Sequence, residues 1–142
     1  MEIYFTGAIS GGRDDADIYK ELIVYLKKYG NVLTEHIGDA NLTTLGENLP
    51  AEQIHDRDLE WLMQADVVIA EVSTPSLGVG YEIGRALEKG KNILCLFRPQ
   101  EGKRLSAMIR GSPKITNSEY QTLDEAKQKI DEFFNQIALF RF

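Results

Sequence analysis

Cysteine is nearly absent: Cys95 is the one thiol in 142 residues. A lone cysteine cannot crosslink within its chain, which excludes a disulfide scaffold and is consistent with a reducing compartment. Long apolar runs are missing too. No stretch approaches the roughly 20 residues of a membrane-spanning helix. The opening MEIYFTGAIS has no basic region before its apolar residues, so no secretory signal is expected. The expected location is the cytoplasm, or the nucleus in a eukaryote. Basic charge is in deficit, with 16 Lys and Arg against 22 Asp and Glu, a net −6. Such a chain suits neither polymeric nucleic acid nor an anionic membrane surface. It can still take one small phosphate, which needs only a few backbone N–H groups. Histidine is scarce, and His36 and His55 fall in no HExxH or Cys/His spacing that would hold zinc. Repeats and low-complexity segments are also lacking.

What is present is an ordinary globular composition, 43% hydrophobic and 27% charged, which excludes a disordered chain, a collagen-like repeat and a coiled coil. The length fits a single domain over residues 1–142. The apolar pattern alternates between short runs and helical spacing, as in an α/β layer fold. Strands are expected at Ile3–Thr6, Asn31–Thr34, Asp66–Val72, Asn92–Phe97 and, more weakly, Ile115–Tyr120. Helices are expected at Asp14–Tyr29, Ala51–Gln64, Val79–Lys89 and from Thr122 onward. Ile18, Leu22, Tyr25, Leu26 and Tyr29 give the first helix an apolar face, and Gly30 and Gly90 stop two of the helices. Thr122 and Glu125 have the spacing of a capping box. The stretch Glu35–Pro50, broken by Gly38, Gly46 and Pro50, reads as a long loop. Asp66–Val72 reads as a continuous apolar run for the centre of a parallel sheet. The sum is a flavodoxin-like three-layer sandwich around a five-stranded parallel sheet. Ligands of such sheets bind beyond the carboxyl ends of the strands. That gathers Gly7–Arg13, Ser73–Gly80 and Arg98–Arg110 at one rim.

Several residues at that rim could carry chemistry. Ser73–Glu82 runs from the central strand into a helix, where Gly78 and Gly80 admit close approach and Ser76 adds a hydroxyl. This is a phosphate cradle or a ligand-free glycine-rich turn. It is not a dinucleotide fingerprint, because Ile83 stands where the third glycine belongs, and no Walker A is present. Glu82 lies in the expected first helical turn, where the dipole would keep it ionised. Asp58 shares a helix face with Ile54, Trp61 and Leu62, so it should be buried and need a partner, with His55 one turn away. Tyr4 and Thr6 share a strand face near the rim. Arg13, Arg98 and Arg110 read as surface charges.

Taken together, Tyr4-Phe-Thr-Gly-Ala-Ile-Ser-Gly-Gly-Arg13, Leu33-Thr-Glu-His36, Asp58-Leu-Glu-Trp-Leu62, Ala65-Asp-Val-Val-Ile-Ala-Glu-Val72, Pro75-Ser-Leu-Gly-Val-Gly-Tyr-Glu82, Leu94-Cys-Leu-Phe-Arg-Pro-Gln100 and Leu105-Ser-Ala-Met-Ile-Arg-Gly111 carry a resemblance. They are similar to the 2′-deoxynucleoside 5′-monophosphate N-glycosidases of the nucleoside 2-deoxyribosyltransferase superfamily. The resemblance implies hydrolysis of a deoxynucleotide to free base and 2-deoxyribose 5-phosphate, without cofactor or metal. Glu82 would be the nucleophile, Asp58 the group acting on the leaving base, and Tyr4 the residue that orients Glu82 and crowds the 2′ position. Ser76 and Gly78 would hold the phosphate, and Ser106 and Met108 would complete the site from the other subunit of a homodimer. Gly7, Ile9 and His36 would flank the base, with Ser10, Gly11 and Arg13 in the same substrate-binding loop. Ser10 departs from the pattern, since mammalian-type members carry arginine there. The alternatives are a deoxyribosyltransferase, an N-hydrolase of a modified ribonucleotide, and a non-catalytic nucleotide-binding module.

Overall fold

The computed structural model describes residues 1–9, 15–39, 42 and 46–140. Five strands, β1 (Glu2–Thr6), β2 (Asn31–Val32), β3 (Val67–Glu71), β4 (Asn92–Phe97) and β5 (Ile115–Glu119), form one sheet. All neighbours are parallel, in the order β2-β1-β3-β4-β5. This is the doubly wound, flavodoxin-like order expected from the alternation of runs and helices. The helices are α1 (Ala16–Leu26), α2 (Ala51–Gln64), α3 (Leu77–Glu88), α4 (Ala107–Arg110) and α5 (Leu123–Leu139).

The two-residue period of the strands sorts their side chains into two cores. Ile3, Phe5, Val67, Ile69, Leu94 and Leu96 pack with α1 and α5. Tyr4, Val68, Ala70, Ile93 and Cys95 pack with α2 and α3. Both faces are covered, which is why the central strands are largely apolar and Cys95 is fully buried. Gly90 ends α3 at a φ of 69°, a conformation that a side chain would strain.

Some expectations need correction. Within Glu35–Pro50, residues Glu35–Gly38 form a 3-10 turn, so the segment is not wholly a loop. The buried face of α1 is Tyr19, Leu22, Ile23 and Leu26; Ile18, Tyr25 and Tyr29 lie at its margin. The rim segment after β4 contains α4, which no apolar period announces because it is a single turn. At α5, Thr122 Oγ1 accepts the Glu125 N–H at 3.2 Å, but the Glu125 carboxylate reaches back to the Gln121 N–H, one residue beyond a strict capping box. The run Asp66–Val72 is not uniformly apolar: Glu71 lies in it and is fully buried.

Candidate active site

Strand register brings the first acid partner into place. Tyr4 and Thr6 of β1 stand opposite Val68 and Ala70 of β3, on the face covered by α2 and α3. Both are almost completely buried. Glu82 reaches this face from α3 and Asp58 from α2. The Tyr4 and Thr6 hydroxyls act on the Glu82 carboxyl and favour its ionised form, while Asp58 opposes it with like charge. One Glu82 oxygen, Oε2, is buried without a hydrogen-bond partner among the described residues.

The electrostatics differ from the expectation for Glu82. Ser76 is the N-cap of α3 and accepts the Val79 N–H at 3.3 Å, so the helix starts at Leu77. Glu82 therefore sits in the second turn, beyond the reach of most of the dipole. Burial dominates instead and pushes its carboxyl up to about 7. Burial also raises the Asp58 carboxyl, against hydrogen bonds from Arg57 that lower it. The Tyr4 phenol is raised by burial and by the charge of Glu82, so it stays a neutral hydrogen-bonding group.

Asp58 has its partner, but not the expected one. His55 Nδ1 lies 3.0 Å from Asp56 and its Nε2 2.9 Å from the Tyr81 hydroxyl. Arg57 instead donates to Asp58 Oδ1 from Nε and Nη2, at 3.1 and 2.9 Å. The same guanidinium forks onto both Glu47 oxygens at 2.8 and 2.6 Å. It also lies over the Trp61 ring, 4.7 Å from its centroid. His36 Nε2 is 3.5 Å from Glu47, and its ring is 5.7 Å from that of Trp61. Sequence reasoning misses Arg57 and Glu47 because neighbours in sequence do not share a helix face, and Glu47 lies in an unpatterned segment.

The expected phosphate residues gather separately. Ser76, Gly78, Ser106 and Met108 line one cavity of about 810 Å³, between the start of α3 and α4. A Cβ on Gly78 would meet nothing closer than the Ser76 hydroxyl at 3.9 Å, and one on Gly80 nothing within 4 Å. The space before these glycines is open, as a ligand site requires. Ser106 caps α4 by accepting the Met108 N–H at 3.2 Å. Arg104 also lines the cavity, a cation that no motif singles out. Tyr4, Asp58 and Glu82 are not part of that lining; α3 connects the two groups, with Gly78 one turn before Glu82.

Among the remaining expected residues, Gly7 is buried where a Cβ would come within 2.6 Å of the Tyr19 ring. Ala8 N–H donates to the Tyr19 hydroxyl at 3.0 Å, which fixes the exit of β1. Ile9 packs against the α1 and α5 core rather than the acid pair. Ser10, Gly11 and Arg13 lie outside the described residues. Arg98 is not a free surface charge: it pairs with buried Asp15 at 2.7 Å.

The sequence and the fold are both matched by known proteins. The family model described as nucleoside 2-deoxyribosyltransferase matches residues 3–128. The chain belongs to that family. Among nucleoside 2-deoxyribosyltransferase relatives, a 5-hydroxymethyl-dUMP N-hydrolase of Mus musculus is 52% identical over 136 residues, covering 94% of this chain and 78% of that protein. The protein of the same name from Tetraodon nigroviridis is 49% identical over 139 residues, 95% of this chain and 98% of its own length. A solved CMP N-glycosidase of Clostridium botulinum superposes with a TM-score of 0.69 at 22% identity, covering 94% of this chain and 99% of that one. That last likeness establishes the shared fold.

Proposed function

We propose that this protein hydrolyses the N-glycosidic bond of 2′-deoxynucleoside 5′-monophosphates, giving free nucleobase and 2-deoxyribose 5-phosphate. The observation that carries the reading is the Glu82 carboxyl, with one oxygen unpartnered, set against Tyr4 and Asp58. The names of the close relatives, which concern N-hydrolysis of a deoxynucleotide, support it.

In this reading the Glu82 carboxylate attacks C1′ as the C1′–N bond breaks, and Asp58 gives its proton to the leaving base. Water then attacks C1′ of the glycosyl-enzyme, returns a proton to Asp58 and frees the Glu82 carboxylate. The transition state is oxocarbenium-like, and an adjacent carboxylate stabilises it, as in retaining glycosidases. Tyr4 is too buried to move aside, so it crowds a 2′-hydroxyl. Ser76 and the open Gly78 backbone take the 5′-phosphate; Ser106 and Met108, which line the same cavity of their own chain, also face a second copy in a homodimer and complete its site. Leu77 is 97% exposed and Met108 83%, an apolar surface suited to that contact.

The test is chromatographic detection of free base. The substrates are the four ordinary deoxynucleoside 5′-monophosphates, 5-hydroxymethyl-dUMP, the matching deoxynucleosides and one ribonucleotide. Base released from deoxy monophosphates alone is the expected result. A new nucleoside in the presence of a second base would point to transfer, and no release from any substrate would overturn the reading.

A further inference from the structure

Glu71 is the most costly residue in the central sheet. It is fully buried in β3, where an apolar side chain would suffice for packing. Among the described residues its side-chain hydrogen bonds go forward along the chain. Its Oε1 accepts the Ser73 N–H at 3.0 Å and the Ser73 hydroxyl as well. The Ser73 oxygen in turn accepts the Arg98 N–H at 2.8 Å. A second buried acid acts beside it: Asp15 takes the Thr74 hydroxyl at 3.1 Å and the Arg98 guanidinium at 2.7 Å. Both residues that lead into Pro75 and Ser76 are thus held through their side chains by carboxyls beneath them. On its other side Glu71 is poorly served, since its Oε2 is buried without a hydrogen-bond partner among the described residues. An acid placed for stability would satisfy both oxygens. This one serves the loop.

We propose that Glu71, through Ser73, and Asp15, through Thr74, are positioning residues for the substrate phosphate, fixing the segment from which the cradle at the start of α3 is launched. Neither touches the reacting atoms. The inference rests on the reading above that Ser76 and Gly78 hold a 5′-phosphate. Burial pushes the Glu71 carboxyl up to about 7, so a neutral amide is a close mimic of it.

The test is calorimetric titration with 2-deoxyribose 5-phosphate and with 2-deoxyribose, paired with steady-state kinetics on a deoxynucleoside monophosphate. Glu71→Leu, which leaves the Ser73 N–H and hydroxyl without their acceptor, should weaken binding of the sugar phosphate by about tenfold or more. Its KM should rise by the same factor, with kcat within about threefold. Glu71→Gln keeps an acceptor oxygen and should restore wild-type binding. Ser73→Ala removes the link without touching the strand; it should reproduce the loss and carries the test if Glu71→Leu does not fold. Sugar-phosphate affinity unchanged in a folded Glu71→Leu or Ser73→Ala protein would overturn the proposal. So would equal losses with and without the phosphate. A wild-type protein that binds the sugar phosphate no better than the sugar would overturn the phosphate reading itself, which separates the two failures.

Discussion

Glu82 and Asp58 share one difficulty: both are carboxyls taken out of water next to each other, and burial raises both. Their titrations are coupled, so any pH profile reports the pair rather than either residue. A nucleophilic Glu82 must be ionised. Activity is therefore expected to fall as pH drops through about 7, which initial rates across pH 5 to 9 would show. Glu82→Gln should lose at least about 10³-fold in kcat, since a neutral amide can neither attack C1′ nor stabilise positive charge there. Arg57 lowers the Asp58 carboxyl by two hydrogen bonds. Arg57→Leu should keep Asp58 protonated to higher pH and move the alkaline limb upward. An unshifted alkaline limb would remove Asp58 from that limb.

At the scale of elements, α3 does two tasks. Its first turn faces the cavity and its second turn carries Glu82 to the sheet. The helix itself was legible as Val79–Lys89 with its glycine stop at Gly90, and Val79, Ile83 and Ala86 prove to be its buried face. Its start was not, because Leu77 is exposed and breaks the apolar period; only the Ser76 cap marks it. That shift of two residues moved Glu82 from the first turn to the second and changed what governs its charge. The α2 span matches the expected Ala51–Gln64, with Asp58 partly buried as the face with Trp61 and Leu62 implies. Which side chain answers Asp58 was not legible, because Glu47 organises Arg57 from a segment without periodicity. Nor was α4, one turn long. Ser106 caps that turn, so Ser106→Ala has two expected effects. It should raise KM for a monophosphate by roughly five- to tenfold, the cost of one lost hydrogen bond. It should change the melting temperature little, because the capped helix is only four residues long. Unchanged kinetics would remove Ser106 from the phosphate site.

For the molecule as a whole, two glutamates with desolvated carboxyls link stability to pH. Glu71 and Glu82 both sit near 7, against 4.5 for an ordinary glutamate. The folded chain therefore holds protons that the unfolded chain has released. The stability this provides is fully present below about 4.5 and lost as pH rises through about 7. The unfolding free energy from denaturant titration should fall between pH 5 and pH 8 by on the order of 1–3 kcal/mol, after allowing for relaxation around the ionised groups. The double variant Glu71→Gln, Glu82→Gln should flatten that slope; a slope that persisted would place its origin elsewhere.

Cys95 lies in β4 with no exposed surface, and burial pushes its thiol up to about 12. Only a thiolate attacks a thiol reagent, so the folded molecule is silent towards one. Labelling then waits for the sheet to part, and its rate becomes a clock for opening. Any nucleotide or sugar phosphate that prefers the closed form slows that clock in proportion to its occupancy. The one sulfhydryl in the chain is thus a built-in reporter of ligand affinity, readable in variants whose turnover has been abolished.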